Sequence, residues 1–146
     1  MSTAADSQPT PCNCATLREA ARVVTRFYDQ HLAAAGLRTT QFSILVKLKR
    51  LGPMTVGALA GELVMDRTTL GRTMLPLERD GLISVESGAS DRRSKELHLT
   101  KAGAKRIDAA LAIWRQAQKR FEAEFGDKRA SNLRNELRAV VASELA

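Results

Sequence analysis

The stretch from Arg67 to Leu77 contains the residue types best suited to binding a polyanion. It reads Arg-Thr-Thr-Leu-Gly-Arg-Thr-Met-Leu-Pro-Leu and is followed by its first acidic residue at Glu78. Guanidinium and hydroxyl groups can donate hydrogen bonds to base edges and phosphates, and a threonine methyl group can pack against a thymine methyl. The side chains with this capacity are Arg67, Thr68, Thr69, Arg72 and Thr73. Any amphipathic helix has a polar face, so this pattern does not establish a function by itself.

A second basic cluster, Asp91-Arg92-Arg93, follows the turn residues Gly88-Ala89-Ser90, and Lys95 comes two residues later. Arginine is favoured in a narrow minor groove because that groove concentrates negative potential. Asp91 could hold one of the two guanidinium groups in a bidentate pair and leave the other to insert. The alternative interpretation is a solvated surface turn.

Local patterns around these clusters predict a helix-turn-helix followed by a hairpin. Thr55 is expected to cap a short helix over 56–63, and Asp66 a second helix from Arg67 to about Asp80. Strands are predicted at 82–87 and 95–99, with the basic tip between them. In a helix-turn-helix the second helix enters the major groove. A basic hairpin directly after such a unit is more specific than either feature alone.

Longer helices are predicted on both sides of this centre. One spans about 15–35 and ends at Gly36, and the next is capped by Thr39 or Thr40. Thr100 is expected to cap a helix that runs to Phe125, and Asp127 to cap the last one. A single chain of this length has too few other elements to bury the apolar faces of both outer helices. Packing against a symmetric copy of the same helices would bury them. The alternative is an ordinary monomeric helical core.

Composition narrows the class of protein further. The 146 residues carry 23 Lys and Arg against 16 Asp and Glu, a net charge of +7 that favours a polyanionic partner. Aromatic residues are only 4%, which is few for a surface that stacks single-stranded bases. No membrane span, signal peptide, catalytic motif, metal-ligand set or cofactor-binding motif is evident, so a cytoplasmic protein that is not an enzyme is expected.

The order and identity of these motifs resemble the multiple-antibiotic-resistance regulator (MarR) family, over nearly the whole chain past residue 14. The matching segments are Thr55-Val56-Gly57-Ala58-Leu59-Ala60, Asp66-Arg67-Thr68-Thr69-Leu70, Leu77-Glu78-Arg79-Asp80-Gly81-Leu82-Ile83, Asp91-Arg92-Arg93-Ser94 and Leu97-His98-Leu99-Thr100-Lys101-Ala102-Gly103.

The resemblance implies a mainly α fold with a small β-wing, in which a winged helix-turn-helix lobe joins a helical dimerisation platform. Its expected divisions are a flexible arm at 1–14, platform helices at 15–36 and 101–146, and the lobe at 39–100. It also implies a sequence-specific regulator, a repressor, that binds double-stranded DNA as a homodimer. A winged helix that binds only proteins is the alternative.

Two features of the sequence could regulate DNA binding. The resemblance implies a small aromatic or amphipathic effector between platform and lobe, although the residues that would line its site could equally be ordinary core. These residues are Arg22, Tyr28, His31, Phe42 and Trp114.

The second possible switch is the pair Cys12 and Cys14, which lies at the start of the first predicted helix. A helix N-terminus favours a thiolate, and a small strained disulfide ring is typical of redox sensors. Two incidental thiols, or half of a soft-metal site completed by another chain, are the alternatives.

Overall fold

The computed structural model of the protein describes residues 10–88 and 91–145. Most of the predicted N-terminal arm, residues 1–9, and two residues of the predicted hairpin tip, 89–90, therefore lie outside the described residues. The helices are α1 (Asn13–Leu32), α2 (Thr39–Leu51), α3 (Val56–Glu62), α4 (Arg67–Arg79), α5 (Lys101–Phe125) and α6 (Asp127–Val141), with a 3-10 turn at Ala33–Ala35. The strands are β1 (Met54–Thr55), β2 (Ile83–Ser87) and β3 (Lys95–Leu99).

The three strands form one antiparallel sheet in the order β1-β3-β2. β2 and β3 pair over five residues, from Ile83 opposite Leu99 to Ser87 opposite Lys95. β1 pairs with β3 through Met54 opposite Leu97. Helices around a small sheet confirm the predicted mainly α fold with a β-wing. The two-residue strand β1 was not predicted, because so short a strand is defined only by its partner.

The hydrophobic core lies in the central part of the chain. It consists mainly of aliphatic side chains from the end of α1, α2, α3, α4, the sheet and the first half of α5, and the largest fully buried ones are Leu32, Ile44, Leu45, Leu59, Leu70, Leu77, Ile83, Leu97 and Ile107. On α1 only Leu32 is buried, and on α6 only Ala130. None of the helices formed by the described residues is both long and apolar enough to span a bilayer.

The predicted helix caps are confirmed at Thr55, Asp66 and Thr100, and the cap predicted for α2 is wrong. Arg38 is the N-cap of α2, and its N–H donates to Gln41 Oε1 at 2.9 Å. Thr39 is the first helical residue, and its N–H and hydroxyl both donate to Asp29 Oδ1, at 2.7 and 2.6 Å. Because the hydroxyl of Thr39 is bonded to Asp29 on α1, it does not cap α2. Asp29 lies ten residues earlier, so a local sequence pattern does not reveal this hydrogen bond.

The prediction that Asp127 caps α6 is also wrong. Gly126, with φ of 100°, occupies the N-cap position and ends α5, so Asp127 becomes the first residue of α6. Its carboxylate still lies in the first turn, where the helix dipole favours negative charge.

Candidate nucleic-acid interface

Helices α3 and α4 form a compact helix-turn-helix. The turn between them closes through hydrogen bonds from Leu63 N–H to Leu59 O (3.0 Å) and from Met65 N–H to Ala60 O (2.9 Å). Leu59 and Ala60 on α3, and Leu70 on α4, are buried in the shared core. This packing fixes the angle between the helices and leaves the N-terminal end of α4 at the surface.

The first turn of α4 is fixed by Asp66, which lies at the N-cap. Its Oδ1 accepts the N–H of Thr69 at 2.8 Å, and its Oδ2 accepts the hydroxyl of Thr69 at 2.7 Å. The hydrogen bond from the backbone N–H of Thr69, followed by that from its hydroxyl, lowers the pKa of Asp66 below 3.8. Asp66 is therefore ionised at neutral pH, and its charge lies where the helix dipole favours it.

The five predicted DNA-reading residues of α4 differ in how their side chains are engaged. The hydroxyl of Thr69 is committed to the cap, and that of Thr73 donates to the backbone oxygen of Thr69 at 3.0 Å. Within the described part of the chain, the side chains of Arg67, Thr68 and Arg72 make no hydrogen bond or ion pair and are exposed. Of the five predicted residues, these three have side-chain polar groups that a ligand could bind.

The face of α4 opposite the core also carries Leu75 and Arg79, which the sequence analysis missed. A 100° step per residue places both with Thr68 and Arg72, on the side away from buried Leu70. Leu75 is 62% exposed, and the guanidinium of Arg79 contacts Asp80 Oδ1 at 3.4 Å. A helical-wheel projection of α4 would have shown both residues on this face. Choosing residues by their capacity for hydrogen bonds left out Leu75.

The β2–β3 hairpin brings Arg92 and Arg93 to the surface, and both are exposed. The role predicted for Asp91 is wrong. Its Oδ1 accepts the backbone N–H of Arg93 at 2.9 Å, and its backbone oxygen accepts the hydroxyl of Ser94 at 2.8 Å. Asp91 therefore fixes the turn and pairs with neither guanidinium. Lys95 is exposed at the first position of β3.

The outward face of the hairpin carries an acidic patch that the sequence analysis did not identify. Glu86 and Glu96 lie directly opposite each other in the β2–β3 register. His98 lies on the same face, and its Nε2 is 3.3 Å from Glu86 Oε2 and 3.4 Å from Glu96 Oε1. Among the described residues, no group of three or more His, Cys, Asp or Glu side chains could hold a metal ion. Positive charge is thus concentrated toward the tip of the hairpin.

The interface is joined to α5 by a cluster of short contacts that involves Thr100. The hydroxyl of Thr100 donates to Gly81 O at 2.7 Å and accepts the N–H of Gly103 at 3.0 Å. Its own N–H donates to Leu82 O at 3.2 Å. The corner between α4 and β2 is therefore fixed to the first turn of α5.

The residues predicted for an effector site lie in different packing environments. Phe42 is buried and stacks on Trp114, with ring centroids 6.3 Å apart. Tyr28 donates its hydroxyl to Gln118 Oε1 at 2.5 Å, and burial is the largest cause of its raised pKa. His31 Nδ1 lies 2.9 Å from the backbone oxygen of Phe27.

The fifth of these residues, Arg22, lies apart on an open groove of about 380 Å³ along α1. The groove is lined by Ala21, Arg22, Thr25, Arg26 and Asp29. A role for the five predicted residues in one effector site stays a prediction.

The two cysteines lie at the beginning of α1, and both are exposed free thiols. Cys12 is the N-cap, and its Sγ accepts the N–H of Ala15 at 3.4 Å. Cys14 lies in the first turn. The Cys12 sulfur therefore has a structural partner that only the geometry reveals.

Comparisons with known proteins agree with this geometry. The family model described as "MarR family" matches residues 37–95. The transcriptional regulator MosR of M. tuberculosis, solved in complex with DNA, is 35% identical, with 92% of this chain and 100% of that chain covered and a TM-score of 0.78.

Two curated proteins are similar as well. YwoH of Bacillus subtilis, an uncharacterized HTH-type transcriptional regulator, is 28% identical over 77% of this chain and 81% of its own length. The transcriptional activatory protein BadR of Rhodopseudomonas palustris is 33% identical over 60% of this chain and 51% of its own length.

Proposed function

Because the chain belongs to the MarR family of transcriptional regulators, we propose that it is a cytoplasmic repressor that binds a pseudo-palindromic operator as a homodimer. The observation that carries the proposal is the arrangement of cationic groups. Arg67 and Arg72 on α4, and Arg92 and Arg93 on the hairpin, are all exposed and belong to elements fixed to one core. Such an arrangement suits a surface that follows one side of a duplex.

The four arginines divide between two grooves in this proposal. Helix α4 enters the major groove with its N-terminal end first, so Arg67, Thr68 and Arg72 meet base edges and phosphates. The hairpin reaches the adjacent minor groove, where an arginine from the pair 92–93 inserts. Thr69, Thr73 and Lys95 complete the predicted interface, with Thr69 presenting its methyl group because its hydroxyl is bonded to Asp66.

The exposed apolar side chains of α1 and α6 support a homodimer. Among the described residues of the outer segments, seven large aliphatic side chains are at least 37% exposed: Leu17 and Val23 on α1, Leu133, Leu137, Val140 and Val141 on α6, and Leu145 just after α6. Large apolar side chains exposed on two helices favour an interaction site, and a second copy with the same two helices would cover them symmetrically. The outer segments 15–36 and 101–146 would then form the platform, and 39–100 the DNA-binding lobe.

Selection of bound duplexes from a random library, followed by affinity measurement against salt concentration, tests the DNA target. We expect a pseudo-palindrome with half-site centres about 10 bp apart, because a two-fold dimer presents two equivalent α4 helices. If the selection enriches no DNA sequence and the protein binds a protein partner, the winged helix would be a protein-interaction module instead. Light scattering at micromolar concentration in reducing buffer tests the dimer, and a monomer would refute it.

We propose repression because of the length of DNA that such a dimer would cover. A dimer whose half-sites lie about 10 bp apart covers two turns of DNA, and it excludes polymerase wherever those turns overlap a promoter. In a transcription assay on the selected operator placed within a promoter, we expect less transcript as the protein is added. An increase would assign an activating role, as the name of BadR states for that protein.

We propose oxidation of Cys12 and Cys14 as one route of release. Two thiols and one peroxide give an intrachain disulfide and two waters, so the thiols lose two electrons and two protons. The disulfide would draw Cys12 Sγ away from the N–H of Ala15 and re-form the first turn of α1. Since α1 belongs to the proposed platform, this change can alter the separation of the two lobes.

The cysteine variants provide matched controls for this route. Cys12→Ser keeps an acceptor at the N-cap and cannot form the disulfide, and Cys14→Ser keeps the Cys12 cap. We expect peroxide to weaken operator binding of the wild type, dithiothreitol to restore it, and neither variant to respond. Equal binding by reduced and oxidised wild type, with the disulfide verified by mass, would leave both thiols incidental. The remaining alternative, a soft-metal site shared with another chain, is tested by measuring how much zinc the protein retains after passage through a zinc-containing buffer.

We propose a small aromatic or amphipathic acid as the other route of release. Arg22 on its α1 groove could hold a carboxylate, and the predicted aromatic residues of the site are Tyr28 and His31 on α1, Phe42 on α2 and Trp114 on α5. A panel of hydroxybenzoates, titrated against the protein–operator complex, provides the probe. Release by a member of the panel that is lost in Arg22→Ala supports the site, whereas release unchanged in that variant would place the carboxylate elsewhere.

A further inference from the structure

We propose that Gly57 is a positioning residue for DNA binding, because its missing side chain leaves the space in which the Arg67 guanidinium lies. Gly57 is the second residue of α3, and Arg67 is the first residue of α4. The inference rests on the proposed function, since the orientation of Arg67 matters only if α4 reads DNA.

The distances show how completely Arg67 uses this space. A Cβ atom built on Gly57 lies 2.6 Å from Nη2 of Arg67, 3.2 Å from Cζ and 3.4 Å from Nε. Non-bonded heavy atoms are comfortable at about 3.5–4.0 Å. The guanidinium therefore occupies the position that any side chain at residue 57 would take.

The contact restrains a side chain that is otherwise free among the described residues. Arg67 is exposed, and within the described part of the chain its guanidinium makes no hydrogen bond or ion pair. A guanidinium binds phosphate and guanine through a planar fork, so its orientation affects how well it bonds. A guanidinium that lies against the first turn of α3, beside the end of α4 proposed to enter the groove, would lose less entropy on binding than one that is free to turn in solvent.

Replacement of Gly57 should separate this role from a structural one. The three atoms nearest to the added Cβ all belong to the far end of a flexible side chain, so the methyl group displaces Arg67 and leaves the helices in place. Alanine is also a better helix former than glycine. We therefore expect Gly57→Ala to keep or raise the melting temperature while DNA affinity falls.

Gly61 provides a matched control in the same helix. It lies one turn after Gly57, and a Cβ built there has no described heavy atom within 4 Å apart from its chain neighbours and its own helix backbone. Gly57→Ala and Gly61→Ala thus make the same chemical change in α3, and only one of them meets Arg67. Both variants, in wild-type and Arg67→Ala backgrounds, should be titrated by fluorescence anisotropy against a duplex selected by the wild type.

The expected result is a coupling between residues 57 and 67 in DNA affinity and none in thermal unfolding. We expect Gly57→Ala to weaken binding about threefold to tenfold, a factor of ten corresponding to about 1.4 kcal/mol, and Gly61→Ala to bind as the wild type does. In the Arg67→Ala background the two alanine variants should bind equally, since the displaced group is gone.

Three results would overturn the inference. Equal affinity of Gly57→Ala and Gly61→Ala in the presence of Arg67 would show that the contact is irrelevant. A Gly57→Ala loss that persists without Arg67 would show that the glycine acts by itself, for example through close approach of its backbone to DNA. A wild type that selects no duplex would refute the proposed function and this inference with it, whereas the first two results leave the proposed function intact.

Discussion

Gly103 lies where the first turn of α5 packs against Leu82 and Leu99, and its replacement by alanine tests this close packing directly. The residue is buried in the first turn of α5. A Cβ atom built there lies 2.0 Å from the backbone oxygen of Leu82 and 2.7 Å from Cδ1 of Leu99. The nearest atom is a backbone oxygen that also accepts the N–H of Thr100, so it cannot move away alone as the end of a flexible side chain could.

The distances give the expected cost. A carbon and an oxygen without a conventional hydrogen bond rarely approach below about 3.3 Å, so α5 and the Leu82 backbone just before β2 must separate by more than 1 Å. Overpacking a core typically costs about 1–3 kcal/mol, and the involvement of the backbone places this site at the upper end. The helix propensity of alanine returns up to about 1 kcal/mol. We expect a net loss of about 2 kcal/mol, or a decrease in melting temperature of about 4–8 °C for a chain of this size.

The assay compares thermal unfolding of Gly103→Ala with that of Gly61→Ala and Gly71→Ala by circular dichroism. Both controls add a methyl group to a helical glycine where, apart from chain neighbours and the helix's own backbone, no described heavy atom lies within 4 Å of the added carbon. All proteins should be measured at one protomer concentration, because the stability of a dimer depends on it. A melting temperature for Gly103→Ala equal to or above those of the controls would refute the argument from close approach.

Three further outcomes follow from the interface. Arg92→Ala and Arg93→Ala, made separately, should leave the melting temperature unchanged, and at least one should weaken operator binding in a mobility shift at physiological salt. Arg72→Ala should lower affinity: if its guanidinium neutralises a phosphate, the log–log salt slope should fall by about 0.9, whereas if it bonds to a base edge, sequence preference should mainly decrease. The pKa of Asp66 is lower in the folded state than in the unfolded state. Its ionised carboxylate therefore stabilises the fold fully above pH 3.8, and this contribution is lost as the pH falls through the folded-state pKa. The stability difference between wild type and Asp66→Asn in urea titrations should therefore shrink below pH 3.8, and a difference independent of pH would contradict the cap assignment.

The features that sequence analysis predicted correctly depend on neighbouring residues along the chain. Thr55, Asp66 and Thr100 each accept an N–H three residues ahead, so residue type and position alone indicate their role. Gly36, with φ of 70°, ends the first helical segment for a similarly local reason.

The features it missed or assigned wrongly depend on residues that are distant in sequence or on the geometry of a turn. Asp29 on α1 accepts a hydrogen bond from the hydroxyl of Thr39 on α2. Strand β1 exists only because Met54 lies opposite Leu97. The bonding of Asp91 to its own turn instead of to an arginine is a matter of turn geometry that charge pairing does not reveal. The order of elements is thus readable from local chemistry, whereas the orientation of individual side chains at the interface is not.

The cluster around Thr100 suggests how the proposed platform could control the proposed DNA-binding lobes. Helix α5 begins against Gly81 and Leu82 and continues for 25 residues, a length of about 37 Å at 1.5 Å per residue. Over that length a tilt of about 5° displaces one end by about 3 Å, close to the 3.4 Å spacing of base pairs. A dimer must present two α4 helices at a fixed separation, so a small change in tilt at the platform would move each helix by about one base pair. In this proposal, release from an operator would need no rearrangement within the core of either lobe.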